Sequence, residues 1–336
     1  MRAVHIVDSR KVEVRDLPDP APEGDEVVVR VEAAAICGSD LHGLYEPPGE
    51  KPRVPGHETA GVVVAVDRPR RAKVGDRVCM SPARFCGVCD LCRAGYVLYC
   101  RASGGTHGFS HDGGHAELIR VPEASLLPLP DAVTFEQACV ILDPIGTPYH
   151  GLKRMGVNAT HTVGVFGLGP MGLGGVLVAA ALGARVIALD PVAYRRELAL
   201  RLGAAAALDP MAGDPAEQVL EATGGYGLDC ALECSGRPEP VRQALDLVRH
   251  LGHVTLVGEQ PQATVRPSDH FLRKEITLSG GTCFPLGEYA EIVRWIERGL
   301  GPERLITHRF GLEEAAQAYA LFASGDTGKV IFTPAA

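Results

Sequence analysis

The stretch Thr162–Gly172, TVGVFGLGPMG, decides the architecture. Thr162–Phe166 has the texture of a buried strand, and Gly167, Gly169 and Gly172 follow it at once in the pattern G-x-G-x-x-G. Alone the pattern is common, but between a strand and a helix it has a physical reading. The first glycine makes the turn, the second lets a pyrophosphate approach the backbone, and the third lets helix pack closely on strand. The helix start then offers free amides and a positive dipole to the phosphates. Gly167, Leu168, Gly169, Pro170, Met171 and Gly172 are therefore assigned to a dinucleotide site.

Working outward, the strand–helix rhythm continues. Met171–Leu182 reads as a helix, Arg185–Leu189 as a strand, Tyr194–Leu202 as a helix, Asp229–Glu233 as a strand, Pro240–Val248 as a helix and His253–Val257 as a strand. Such alternation builds a parallel sheet with helices on both faces, the doubly wound α/β class. Val257, closing the last of these strands, joins the cofactor residues. Asp190 ends the strand VIALD, where a carboxylate accepts the adenosine ribose hydroxyls and repels a 2′-phosphate. NAD is thus favoured over NADP, although Arg195 and Arg196 place positive charge nearby. The competing reading of Asp190 is an N-cap for the next helix.

The N-terminal third has a different texture. Glu26–Glu32, Gly61–Val66 and Ala116–Val121 are short strands broken by turns, which suggests a compact, mainly β domain. After Phe284 come a helix (Glu288–Arg298), ITHRF, a helix (Leu312–Leu321) and a closing strand, Gly328–Phe332, placed to return to the first domain. The expected layout is a discontinuous mainly β domain, 1–148 and 285–336, around a nucleotide domain, 149–284. A chain of 336 residues suits two cores.

Cys86, Cys89, Cys92 and Cys100, in CGVCDLCRAGYVLYC, have the spacing of a tetrahedral zinc site. Two disulfides, or four unrelated cysteines in a loop, are the alternatives, but MRAVHIVDSRKVEV shows no secretory signal, and a reducing cytosol does not normally hold structural disulfides. Four thiolates leave zinc no open position, so this lobe reads as structural. A second set suits chemistry: Cys37 in CGSDLH and His57 in PGHE, with Glu58 and Asp143 as carboxylates to complete it. Catalytic zinc takes three protein ligands and keeps one position open. Ser39 and His42 form a candidate proton path, Ser39 taking the proton of a substrate hydroxyl and His42 releasing it at the surface. Zinc acidifies such a hydroxyl.

Composition excludes other classes. A formal net charge of −8 disfavours a nucleic-acid partner, and the cluster Arg68, Arg70 and Arg71 reads as a solvated turn. The apolar run GLGGVLVAAALGA is too short and glycine-rich to span a bilayer, so a cytoplasmic protein without membrane partner is expected.

Together CGSDLH, PGHETAG, KVGDRV, the four-cysteine run, GLGPMG and LITHRF resemble the zinc-dependent medium-chain alcohol dehydrogenases, sorbitol and threonine dehydrogenases included. The resemblance runs from the first strand to the last. It implies a GroES-like catalytic domain and a Rossmann domain, two zincs per chain, and NAD(P)-linked oxidation of a small-molecule alcohol to a ketone. It implies a homo-oligomer, with the tetramer favoured over the dimer. By resemblance Cys37, His57 and Asp143 are catalytic-zinc ligands, and Glu58 is a catalytic residue that binds the metal in some members. Ser39 and His42 match the relay, and Arg195 a basic residue near the ribose.

The chain departs from the pattern at VDRPRRA, where glycines are usual, and in the histidines of GTHGFSHDGGHAE. His107, His111 and His115 either border the substrate cleft or sit on a polar loop, and the loop is the favoured reading. Pocket walls are expected between Tyr45, Phe109 and Phe284. Secondary alcohols, polyols and amino alcohols all remain open as substrates. The other readings are a zinc-ribbon module fused to a nucleotide sensor, and a zinc-independent quinone or enoyl reductase on the same fold.

Overall fold

The computed structural model describes residues 1–8, 11–41 and 54–334, and the chain divides into two units. The first comprises Met1–Leu142, Pro285–Ser324 and Lys329–Ala336, the second Asp143–Phe284 and Gly325–Gly328.

In the first unit, β1 (Arg2–Asp8) and β2 (Lys11–Asp16) pair antiparallel. The main sheet contains β3 (Glu26–Ala35), β4 (Glu58–Val66), β5 (Arg77–Met80), β8 (Leu118–Pro122), β9 (Leu126–Pro128), β16 (Ile306–Phe310) and β17 (Lys329–Phe332). Its order is β16-β17-β3-β4-β5-β9, with β8 also pairing with β3. The short strands β6 (Ala83–Arg84) and β7 (Gly105–Thr106) pair apart from it. The core is valine-rich, with Val27, Val29, Val31, Val63 and Val121 all fully buried.

β3 runs through Ala33–Ala35 rather than stopping at Glu32. Alanine favours helix, but these three are fully buried and paired to β4, and tertiary pairing overrides propensity. The extension positions the chemistry. Ala35 pairs with Glu58 in β4 and with Ile331 in β17, so three strand ends meet beside Cys37 and His57.

The turn VDRPRRA manages without the usual glycines because Glu123 reaches across to it. The Glu123 carboxylate accepts from the amides of Arg70 (2.7 Å), Arg71 and Ala72, and Asp67 accepts from the Gly24 amide at 2.8 Å.

The second unit is a six-stranded parallel sheet: β10 (Thr162–Phe166), β11 (Arg185–Leu189), β12 (Ala206–Leu208), β13 (Leu228–Glu233), β14 (Val248–Leu256) and β15 (Thr277–Gly280). The order β12-β11-β10-β13-β14-β15 is the doubly wound Rossmann order, as expected. Phe166, Ile187, Leu189, Leu228, Val241 and Val254 form part of its core.

The second unit begins at Asp143, not after Pro148. Helix Gly146–Arg154 packs on helix Pro170–Ala181, and a Cβ on Gly174 would lie 1.6 Å from the Pro144 carbonyl oxygen. Residues 143–148 are thereby tied to the nucleotide unit. Among the described residues no helix is long and apolar enough to cross a membrane.

Candidate metal centres and nucleotide loop

Cys37 follows β3, His57 precedes β4, and the 3-10 turn Gly38–Leu41 carries Asp40 between them. Asp40 is buried and joins the two segments. Its carboxylate accepts from the Cys37 amide at 2.8 Å and the Gly56 amide at 3.3 Å, and lies 3.5 Å from His57 Nδ1. Burial works against ionisation of Asp40, but the donors that face it, the His57 ring first and then the Cys37 amide, pull its pKa down to about 2. A charged carboxylate at that nitrogen orients the His57 ring and raises its basicity toward a metal.

Ligand atoms of Cys37, His57, Glu58 and Asp143 lie within 4.8 Å of one another. One thiolate, one imidazole and carboxylate oxygen make a donor set suited to Zn2+. Cys37, His57 and Glu58 are buried, and Asp143 is half-buried in the π-helical turn Ile141–Ile145. Glu58 is also bound to Lys329: both are fully buried, and Lys329 Nζ donates to Glu58 Oε1. Ser39 is half-buried on the turn beside Asp40. His42 and Tyr45 lie outside the described residues.

The Phe109 ring centroid stands 5.0 Å from that of His57, with Phe109 42% exposed, so an apolar surface borders His57. The polar-loop reading of the histidines needs correction. His107 is 3% exposed and His115 fully buried; only His111 keeps partial exposure. His115 is drawn inward by two partners, Tyr319 Oη at 2.8 Å and the Ala35 carbonyl at 3.1 Å. Burial lowers its pKa and so favours the neutral ring.

Cys86, Cys89, Cys92 and Cys100 also gather within 4.8 Å, and all four are thiols. The Cys86 and Cys92 sulfurs stand 3.9 Å apart, close to the edge of a tetrahedron with Zn–S bonds of about 2.3 Å and far from the roughly 2.05 Å of a disulfide. Backbone amides already point at the sulfurs: Cys89 N–H donates to Cys86 and Cys92 N–H to Cys89, at 3.4 and 3.5 Å. Amides of Arg101 and Cys92 hold the Cys89 thiol down at about 6, whereas burial pushes Cys92 up to about 12. Crowded thiols that cannot all ionise unaided fit a cation at their centre.

In the second unit, Gly167 has φ +84°, and a Cβ there would lie 2.6 Å from Ser235 Cα. Gly172 would collide with the Gly167 carbonyl, whereas a Cβ on Gly169 would meet nothing within 4 Å, leaving its backbone approachable. Pro170 and Met171 open the helix half-buried, while Leu168 is fully buried. Asp190 accepts from the amides of Leu168 (2.7 Å) and Val192 (2.8 Å), with Arg195 Nη1 at 3.8 Å. It therefore braces the glycine turn as well as standing at the end of β11. Val257, half-buried just beyond β14, donates its amide to the Glu233 carbonyl at 2.8 Å.

Asp40 and Lys329 were not singled out from the sequence. The signal for Lys329 is a lysine in the otherwise apolar strand KVIF, and for Asp40 the short interval after Cys37 in CGSD.

A mixed thiolate, imidazole and carboxylate set, a separate four-thiol lobe and a Rossmann glycine turn define a zinc-type, nucleotide-linked oxidoreductase. Comparison with known proteins agrees: residues 23–131 match the alcohol dehydrogenase GroES-like domain and residues 170–298 the zinc-binding dehydrogenase family. The chain belongs to the zinc-dependent medium-chain alcohol dehydrogenase family and is an oxidoreductase acting on alcohols. It is 33% identical to the uncharacterized zinc-type alcohol dehydrogenase-like protein YphC of Escherichia coli K12, over 98% of each chain. It is 34% identical to L-threonine 3-dehydrogenase of Pyrococcus horikoshii, over 94% of this chain and 93% of that one. The alcohol dehydrogenase TADH from Thermus sp. ATN1 superposes with a TM-score of 0.92 at 31% identity, over 99% of each chain.

Proposed function

We propose that the protein is a zinc-dependent dehydrogenase that oxidises a secondary alcohol, polyol or amino alcohol to a ketone with NAD as hydride acceptor. The observation that carries this reading is the Cys37, His57, Glu58 and Asp143 set, separate from the lobe whose four thiols would saturate a metal. The threonine dehydrogenase relatives support an amino alcohol among these substrates. The Asp190 carboxylate at the end of β11 supports NAD over NADP. Ten free thiols suit a reducing cytoplasm, and the family resemblance suggests a homotetramer.

When bound, zinc supplies the Lewis acidity that makes an alcohol hydroxyl acidic, and nicotinamide supplies the hydride acceptor. The chain's own residues do the rest. Cys37, His57 and Asp143 hold the metal, with Glu58 as the alternative carboxylate. Asp40 fixes the orientation of the His57 ring. Ser39 takes the hydroxyl proton and His42 delivers it to solvent, so no charge is stranded in the site. Phe109 presents an apolar wall against which the substrate's carbon skeleton can lie. Gly167, Gly169 and Gly172 admit the pyrophosphate, and Asp190 takes the adenosine ribose.

Metal analysis with steady-state assay tests the reading. Wild-type protein should carry two zincs per chain, and Cys37→Ser should keep one, still bind NAD and lose turnover. Metal-free protein of unchanged circular dichroism that oxidises alcohols as fast as the zinc form would overturn it.

A further inference from the structure

We infer that His115, locked by Tyr319, is a positioning residue that clamps the Cys37 and His57 segments together behind the catalytic metal set. The inference rests on the reading of that set given above.

The geometry is that of a staple. The Ala35 carbonyl can only accept, so His115 must carry its proton on Nε2 and donate it there, at 3.1 Å. His115 Nδ1 is then an acceptor, and the Tyr319 hydroxyl, 2.8 Å away, donates to it. The tautomer is thus fixed by its two partners. Ala35 stands two residues before Cys37, so the Nε2 bond secures the segment leading to the thiolate.

The other face of the ring secures His57. Gly56 has φ +96°, and a Cβ on it would lie 2.3 Å from His115 Cδ2, so the imidazole lies flush against the residue preceding His57. The backbone reinforces this: the His115 amide donates to the Pro55 carbonyl at 3.0 Å and the Gly114 amide to that of Gly56 at 2.8 Å. Asp40 bridges the same two segments through the amides of Cys37 and Gly56. One carboxylate and one imidazole therefore tie the same pair of segments. Tyr319 is itself buried, 1% exposed on helix Ala315–Ser324, with Phe332 5.0 Å from the imidazole centroid.

A core filler and a clamp predict different things. Phenylalanine at 115 preserves an aromatic ring against Gly56 and Phe332 but makes neither hydrogen bond. If His115 only fills space, His115→Phe should be tolerated in every respect. If it clamps, the ligand pair loosens while the fold survives. Groups hydrogen-bonded directly to a metal ligand are worth roughly 10- to 100-fold in metal affinity when removed, and His115, acting one residue further out through Ala35 and Gly56, belongs at the low end.

The experiment uses the zinc-loaded protein and its His115→Phe and Tyr319→Phe variants. Chelator competition reads each zinc's affinity, and Co2+ exchanged into the catalytic set reads its geometry through the d–d absorption band. The expected result is a loss of at least about 10-fold in affinity at the Cys37 set. The Co2+ band should shift, circular dichroism should not change, and the four-cysteine zinc should be unaffected. Tyr319→Phe should fall between wild type and His115→Phe. Wild-type zinc affinity and an unshifted band in folded His115→Phe would overturn the inference. Equal weakening of both zincs would overturn it as well, since that marks general loosening. Failure of the wild type to hold metal at Cys37 would instead refute the functional reading on which it rests.

Discussion

The buried pair Lys329–Glu58 supports the sharpest quantitative prediction. Both side chains are fully buried, and the pair joins β17 to β4 across 271 positions of sequence. Removing the cation by Lys329→Met leaves a carboxylate in the core beside the metal set. Breaking one side of a buried pair costs about 3–5 kcal/mol. An independent bound comes from the escape route: protonating a carboxyl of ordinary pKa at pH 7 costs about 3.7 kcal/mol. The two agree, so a loss of about 3–4 kcal/mol is expected near neutrality.

The sign of the pH dependence follows. Without the ammonium, burial in the Lys329→Met core favours the protonated over the charged form of the Glu58 carboxyl. The folded variant therefore holds a proton that the unfolded chain releases, and its stability falls as pH rises above about 4.3, by up to about 1.4 kcal/mol per unit. The deficit relative to wild type should accordingly shrink from pH 8 to pH 5. The assay is urea denaturation of the metal-free protein, in which no bound cation replaces the ammonium, followed by the fluorescence of Trp295, the single tryptophan, which lies in the same unit. Glu58→Gln with Lys329→Met completes a double-mutant cycle, and the double variant should be more stable than the additive sum by at least about 2 kcal/mol. Additive losses, or a Lys329→Met deficit independent of pH, would refute the reasoning.

Three further outcomes are expected. Cys86→Ser should release the four-cysteine zinc and lower the melting temperature or disturb assembly, with kcat of the surviving protein largely retained; kinetics and metal content check this. Asp190→Ala should cost about 1.5–3 kcal/mol with NAD, roughly 10- to 100-fold in kcat/KM. It should cost less with NADP, and a wild-type preference for NADP would contradict the assignment. Gly167→Ala must hold an alanine at φ +84° against Ser235, which costs about 1–3 kcal/mol, and should weaken NAD binding measured by calorimetry.

What the sequence discloses depends on how local the determinant is. The glycine turn, the four cysteines and the pair Cys37–His57 are legible because each carries its chemistry within a few residues, and the parallel sheet because strand and helix periods alternate. Lys329 and His115 are not legible in the same way. Lys329 finds Glu58 through the pairing of β17 with β3, and His115 finds Tyr319 across 204 positions. Residue type alone makes a buried lysine look like a strand-end charge and a buried histidine look like part of a polar loop. The junction at Asp143 is hidden for a similar reason: nothing local announces that Gly174 will receive the Pro144 carbonyl.

The same pairing separates the two carboxylates of the catalytic set. Glu58 and Asp143 are equivalent candidates by residue type, and both approach Cys37 and His57. Glu58, however, has one oxygen engaged by the Lys329 ammonium in a fully buried environment. To serve as a full ligand it would have to share its charge between two cations, at the expense of the ion pair that offsets its burial. On this reading, which extends the proposed function, Asp143 would be the resident third ligand and Glu58 the reserve. A zinc held there by three protein donors would keep one position open, whereas one held by Cys86, Cys89, Cys92 and Cys100 would have none. A lysine on the last strand thus accounts for why one metal set suits a reaction and the other only bracing, a distinction that ligand type by itself does not supply.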